Sequence, residues 1–239
     1  MKLLMVHNEY GKYSGEEAVV DRMAEAFRAR GVEVAMLRRS SAGARESLMG
    51  KIHGFFAGIY SPGGVGEMRR ILREVKPDVV NVHNVFPFIS PAALQECRKA
   101  GVPVVMTIHN YRLVCPTGLF MRDGGPCERC LERGSEWGCV KYNCEGSRLK
   151  SLGYALRGAT ARWRRDFIDC VDRFACITDF QRRKLSQAGF DPAKITVIPN
   201  AVDVPAEAPD FNPGGYVAYC GRLSREKGVD LIIEAARRL

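Results

Sequence analysis

Three of the four histidines stand directly before an asparagine: His7-Asn8, His83-Asn84 and His109-Asn110. Each pair falls where an apolar run ends, and those runs read as parallel strands. In an open α/β sheet, ligands bind outside the carboxyl ends of the strands, so the three pairs are expected around one crevice. His109 is the expected direct participant. Strands also commonly end on polar residues, and a three-histidine zinc centre is a further reading, although nothing supplies the usual helical histidine spacing.

Two other loops carry charge or open backbone. Ser14 to Glu17 (SGEE) reads as a capping box at a helix start, whose N–H groups are suited to a phosphate. It lacks a full G-x-G-x-x-G pattern. Gly221-Arg222-Leu223 with Glu226-Lys227-Gly228 lies between an expected strand and helix. There two cations five residues apart would suit a diphosphate, and ordinary surface basic residues explain the spacing nearly as well. Five of the nine cysteines cluster: Cys115, then Cys127-x2-Cys130 and Cys139-x4-Cys144. Cys127, Cys130, Cys139 and Cys144 could close a structural zinc site, pack as reduced thiols or do redox chemistry.

The elements that must position these residues alternate strand and helix, the pattern of a parallel sheet with helices on both faces. Strands are expected at 2–6, 32–37, 78–83, 102–108, 173–178 and 195–198. A helix opens at Ser14 and stops near Gly31. Two more flank 61–64, and another is capped by Ser90 and Pro91. Residues 111–147 have no clean period, as in a functional or metal-clamped insert. Leu149, Leu152, Leu156, Trp163, Phe167, Val171 and Phe174 form one helical stripe. A further helix is expected near 180–188. Prolines at 199, 205, 209 and 213 mark a linker, followed by a strand at 216–220 and a helix beginning near Gly228. The expected division is a Rossmann-like domain at 1–198, a linker at 199–215 and the first strand and helix of a second domain at 216–239.

Composition narrows the function classes. With 46% hydrophobic and 26% charged residues, the 239-residue chain is an ordinary globular sequence, which excludes disordered, collagen-like and disulfide-scaffold classes. Its net charge of +9 favours anionic partners. Residues 148–184 hold ten Lys or Arg and four Asp, a net of +6. That run reads as a solvated basic face or as a face for anionic lipid. A zinc-dependent nucleic-acid binder would need aromatics interleaved with basic residues or a reader motif, neither of which is present, so nucleic acid is not an expected partner. The start reads as too short for a signal-peptide core and no stretch approaches a membrane span, so a cytoplasmic chain is expected.

The runs PDVVNVHNVFPFISPAAL, GVPVVMTIHNYRLVCPTGLF, DRFACITDFQRRKLSQAGFDPAKITVIPNAVD and GRLSREKGVDLIIEAA, in that order, resemble a retaining glycosyltransferase of family 4, with the GT-B fold. The Cys-rich insert resembles a bacterial subgroup associated with surface polysaccharide assembly. The resemblance implies two Rossmann-like domains facing a cleft, the first holding the acceptor and the second a nucleotide-diphosphate sugar. It places Ser14 and Gly15 near the donor phosphates and acceptor, His109 at the transferred sugar, and Arg222 and Lys227 at the leaving diphosphate. His7, His83, Asn110 and Asn200 fall on the cleft or acceptor side. Hexosyl transfer to a saccharide or lipid-linked acceptor is implied. The donor phosphate assists deprotonation of the acceptor hydroxyl, and no metal or other cofactor is required. A lipid-linked acceptor would bring the chain to the inner face of the membrane.

Three positions depart from the family pattern. Gly15 is followed by Glu16 where the phosphate loop usually has paired glycines, and Pro199-Asn200 is followed by Ala201. The late pair of glutamates seven residues apart is absent, since the sequence is expected to reach only one strand and one helix into a truncated second domain. The 239-residue chain is therefore expected to be inactive alone. A non-enzymatic acceptor-binding module, or one half of a split enzyme, is the alternative.

Overall fold

A computed structural model describes residues 1–11, 13–42, 47–202, 204, 207, 215 and 217–238. In chain order the strands and helices are β1 (Lys2–Glu9), α1 (Gly15–Arg28), β2 (Glu33–Ser40), α2 (Leu48–Ile59), α3 (Pro62–Val75) and β3 (Val79–Asn84). After them come α4 (Leu94–Lys99), β4 (Val104–Ile108), β5 (Met121–Arg122), β6 (Gly125–Pro126), α5 (Arg129–Glu132) and α6 (Trp137–Lys141). The remainder are α7 (Arg148–Trp163), α8 (Asp166–Cys170), β7 (Arg173–Cys176), α9 (Asp179–Gln187), β8 (Ile195–Val197) and α10 (Val229–Ala236).

Six strands form one parallel sheet in the order β2-β1-β3-β4-β7-β8. Side chains alternate across a strand, and β1 shows both faces apolar. Leu3 and Met5 pack with Val20 and Ala24 of α1 on one side. Leu4 and Val6 join the larger core on the other, with Val65, Met68 and Leu72 of α3, Leu94 of α4 and Phe167 of α8. This is the expected α/β Rossmann-like architecture with helices on both faces of a parallel sheet.

Close approach of backbones decides several helix positions. The α3 N-cap Ser61 accepts from the Gly64 amide and donates to the Phe88 carbonyl at 2.7 Å. A Cβ on Gly64 would stand 2.3 Å from the Ile89 carbonyl oxygen and 2.5 Å from that of Phe88. Glycine is the residue that lets α3 seat here.

Four expectations are corrected. Ser90 does not cap a helix: it sits at φ 63°, makes no cap hydrogen bond, and its hydroxyl accepts from the Ser61 amide. A one-turn 3-10 segment, Pro91–Ala93, precedes α4 instead. The expected stripe from Leu149 to Phe174 is broken at Arg165, which takes the left-handed conformation between α7 and α8. Within α7 its large residues are not the buried face, since Leu149 is 69% and Trp163 82% exposed, whereas Phe167, Val171 and Phe174 beyond the break lie in the core. The buried positions of α7 include Ser151, Gly153, Ala155 and Ala161; the Phe55 ring of α2 fills the space at Gly153, and Ala161 joins the main core. Finally, residues 217–220 join no sheet, Tyr216 lies outside the described residues, and none of the described residues of α10 is buried. Most of the expected linker at 199–215 also lies outside the described residues.

Two of the three glycines of α3, Gly64 and Gly66, should respond to alanine with opposite sign. Gly64→Ala is expected to destabilise by about 3 kcal/mol through backbone overlap. Gly66→Ala, whose Cβ would meet nothing within 4 Å, is expected to stabilise by about 0.5–1 kcal/mol through helix propensity. Urea unfolding of the two variants checks this, and a shared sign would refute the packing described.

Candidate active site

Strands β1, β3 and β4 are adjacent, so their carboxyl ends bring His7, His83 and His109 together as the sequence suggested. The β1–β3 register slips by one residue, pairing Val6 with Val82 and then His7 with Asn84. His83 is the extra residue, and a bulge of this kind re-aims a side chain. Its Nδ1 lies 2.8 Å from His109 Nε2, with the ring planes 17° from parallel and the centroids 5.1 Å apart. The His7 ring stands edge-on to His83, with centroids 6.3 Å apart.

His7 is fully buried between two carboxylates of the α1 start. Its Nδ1 lies 3.8 Å from Glu16 Oε1 and its Nε2 3.5 Å from Glu17 Oε1. These distances are long for hydrogen bonds. Burial lowers the His7 pKa despite Glu17. Burial likewise holds His83 well below the usual range and takes His109 down to about 4. The cluster is therefore neutral near pH 7, and the histidine–carboxylate contacts are not ion pairs.

The two glutamates have divergent roles. Glu17 completes the capping box with Ser14, whose hydroxyl also donates to it, and it accepts from the Tyr10 amide at 2.9 Å. Burial works to raise its pKa, but these hydrogen bonds hold it below the ordinary carboxylate value. Glu16 keeps one oxygen on the Tyr10 hydroxyl at 2.9 Å and the other without a partner. Burial pushes its pKa up to about 7, against the lowering effects of Tyr10 and Arg112. Such a group accepts a hydrogen bond when ionised and donates one when protonated. Arg112 stacks its guanidinium over the Tyr10 ring, and its amide donates to Asn110 Oδ1 at 3.0 Å.

The three asparagines do different work. Asn8 accepts from the Phe88 amide at 2.8 Å and donates to Ser41 Oγ at 2.9 Å. Asn84 donates to the Asn8 carbonyl at 2.7 Å and accepts from the Phe86 amide at 3.0 Å. Both are knots that hold the strand ends. Asn110 faces the cleft, its amide 3.4 Å from the Tyr10 hydroxyl. A small cleft is lined by His83, Asn84, Phe86, His109, Asn110 and Arg112. It adjoins a groove between the insert, α7 and α8 that shares Phe86, Arg112 and Leu113.

Ser14 and Gly15 open α1 and do not themselves line this cleft; the link to it runs from Glu16 through the Tyr10 hydroxyl to Asn110, and a Cβ on Gly15 would meet nothing within 4 Å. The remaining expected site residues are not drawn in. Asn200 is exposed beyond β8, the edge strand two places from β4. Arg222 is exposed and pairs with Glu226 at 3.1 Å, and Lys227 is exposed nearby. Neither lines the cleft among the described residues. Tyr10, Glu16 and Arg112 were not singled out as site residues from the sequence. The only signal was Glu16 standing where a glycine is usual.

The metal reading finds no support. Among the described residues no group of three or more His, Cys, Asp or Glu side chains is placed to hold a metal ion, at the histidines or at Cys127, Cys130, Cys139 and Cys144. His83 and His109 turn nitrogens toward each other instead. Burial raises the thiol pKa of Cys139 and pushes that of Cys130 to about 12, which keeps both protonated. The insert is held by other means. Arg122 and Arg129 stack on Tyr142, Tyr111 stacks on Phe120, and Lys184–Glu128, Arg162–Glu136 and Lys150–Glu145 form ion pairs.

Comparison with known proteins gives one family match: the profile described as Glycosyltransferase Family 4 covers residues 13–205. A curated relative, a phosphatidylinositol N-acetylglucosaminyltransferase subunit from Arabidopsis thaliana, is 26% identical over 172 residues, which are 70% of this chain and 30% of the relative. Among solved structures, the apo form of the lipopolysaccharide outer core galactosyltransferase WaaB matches at 14% identity over 99% of this chain and 58% of its own, with a TM-score of 0.49. Anabaena Alr3699/HepE in complex with UDP and glucose matches at 15% identity over 85% of this chain and 45% of its own, with a TM-score of 0.46. The chain thus spans under two thirds of the length of each.

Glu16 makes stability pH-dependent in a defined direction. Its folded pKa of about 7 lies above the ordinary 4.5, so its contribution is intact below 4.5 and is lost as pH rises to 7. Glu16→Gln should therefore gain up to about 3 kcal/mol over the parent at pH 8, falling below about 1 kcal/mol at pH 5. Urea midpoints at the two pH values measure it, and an equal difference at both would contradict the buried carboxyl.

Proposed function

The chain belongs to Glycosyltransferase Family 4, and from that premise we propose that the histidine cleft holds the transferred sugar and its acceptor during retaining hexosyl transfer from a nucleotide-diphosphate sugar. The observation that carries this reading is the placement of His109. It is a neutral imidazole at the carboxyl edge of the parallel sheet that lines the small cleft with Asn110 and Arg112. In this reading the start of α1 at Ser14 and Gly15 offers backbone N–H groups to phosphate oxygens. A neutral imidazole can hydrogen-bond a sugar hydroxyl without adding charge to the site.

In this reading residues 1–198 are the acceptor-side domain, 199–215 a linker, and 216–239 the opening of a donor domain carrying Arg222 and Lys227. Those cations would neutralise the diphosphate as the glycosidic bond to it breaks, and Asn200 would approach the cleft from the linker. The acceptor hydroxyl attacks the anomeric carbon on the face the diphosphate leaves, and its proton passes to the departing phosphate oxygen. His7 and His83 back the cleft, and Asn110 faces it. No metal is required for this chemistry, and no nucleic acid takes part.

The curated relative is named for N-acetylglucosaminyl transfer to a phosphatidylinositol, which favours a hexosyl donor and a lipid-linked acceptor. Surface polysaccharide assembly is the proposed setting. None of the described helices is long and apolar enough to cross a membrane. A peripheral contact at the inner face is the proposed alternative, because α2 exposes Met49, Ile52, Phe56 and Tyr60 along one side of a helix whose single charge is Lys51. The basic run of 148–184 contributes less than its count implies. Arg164, Arg165, Arg182 and Arg183 are paired with Asp166, Asp169 and Asp179.

Release of nucleoside diphosphate from UDP-, GDP- and ADP-sugars, with lipid-linked saccharides as acceptors, tests the reading. The chain alone should release little, and adding a C-terminal GT-B half should restore turnover. His109→Ala should then lose at least about 100-fold, roughly 2.7 kcal/mol of transition-state stabilisation, with little change in Tm. Retained turnover in that variant would reject the site. For the membrane contact, Met49→Ser with Phe56→Ser should abolish cosedimentation with anionic vesicles, whereas unchanged cosedimentation, or none by the parent chain, would reject it.

A further inference from the structure

The proton between His83 and His109 imposes a constraint that the transfer reaction does not. At 2.8 Å, His83 Nδ1 and His109 Nε2 share one hydrogen bond, so one of the two rings owns the hydrogen. Burial keeps both rings neutral near pH 7. A neutral imidazole has one N–H and one lone pair, so the owner of that hydrogen fixes the tautomer of both rings.

The surroundings decide the owner. His83 Nε2 is buried and has no hydrogen-bond partner. Were His109 the donor, the hydrogen of His83 would sit on that nitrogen, leaving an orphaned buried N–H, a rare arrangement that costs about 1–3 kcal/mol. With His83 as donor, only a lone pair is left unpartnered there. Glu16 and Glu17 make their histidine contacts with His7, and among the described residues neither carboxylate pairs with His83 or His109. No anion therefore stabilises a charged form of the pair.

We propose that His83 is a positioning residue. Its Nδ1–H donates to His109 Nε2 and locks His109 as the Nδ1–H tautomer, so that the cleft is offered a neutral hydrogen-bond donor that selects an oxygen acceptor on the ligand. The register slip between β1 and β3 is the backbone device that aims His83 at His109. Because its partner is an imidazole and not a carboxylate, His109 remains a donor without becoming an acid.

Ring nitrogen-15 spectra of the isotopically labelled chain at pH 7.5 test this without any turnover assay, so the result stands or falls separately from the transferase reading. The His109 ring is identified by its loss in His109→Asn. The expected spectrum has a protonated, pyrrole-type Nδ1 and an unprotonated, pyridine-type Nε2. In His83→Phe, which removes the donor and keeps a ring in the same space, His109 should move to a mixture of tautomers. A protonated Nε2 in the parent chain would overturn the proposal, as would an unchanged His109 spectrum in a folded His83→Phe variant. Should that variant not fold, the parent spectrum decides alone.

Discussion

The parallel ladder joining β1, β3 and β4, with its one-residue slip after Val6, is the constraint on which the cleft depends. Parallel strands in one sheet end on the same side, and three of them here carry a histidine within two residues of their carboxyl ends. The slip withdraws His83 from the regular register and turns it toward His109. Asn8 and Asn84 then fix the strand ends by hydrogen bonds to Phe88, Ser41, Phe86 and each other. Without those knots the loops after β1 and β3 would have unpaired backbone groups near the cleft, and the rings could not keep a hydrogen-bonded spacing.

Burial without charge compensation sets the chemistry of the same region. Three imidazoles are held neutral and Glu16 is held near neutrality, while the ion pairs of the molecule lie toward its surface. A ligand entering the cleft meets hydrogen-bonding groups that change little in charge around pH 7, with Glu16 the exception. Its titration between the ordinary carboxylate range and about 7 places the one charge change beside Tyr10, Asn110 and Arg112. That is chemistry suited to polar, uncharged ligand groups such as sugar hydroxyls.

Much of the fold was legible because its signals are local. Apolar runs bounded by polar pairs gave the strands, and the Ser14–Glu17 capping box gave the start of α1. What escaped was decided by tertiary contact. Ser90 looked like a cap, but its hydroxyl is committed to Ser61. The α7 stripe was read from its large residues, whereas Gly153 meets Phe55 of α2, Ala155 and Ala161 are buried, and Trp163 faces solvent. The three His-Asn pairs end neighbouring strands, yet the side chains of Asn8 and Asn84 are spent on holding the strand ends, although Asn84 also lines the cleft, while Asn110 turns its amide toward the Tyr10 hydroxyl. Cysteine spacing suggested zinc, but among the described residues no three ligands are placed to hold a metal ion, and the insert closes on stacked rings and ion pairs. Glu16 could not be ranked from sequence, since its raised pKa comes from burial that no local pattern encodes.

The central claim is that the carboxyl edge around His109 is where a glycosyl ligand binds. Backbone amide chemical shifts, followed while nucleotide sugars and lipid-linked saccharides are titrated into the labelled protein, test it most directly. The account predicts perturbations confined to the ends of β1, β3 and β4 and to the start of α1, centred on residues 10–16, 84–86 and 109–113. Shifts concentrated instead on α9 and β8, or no shift at saturating ligand, would contradict it.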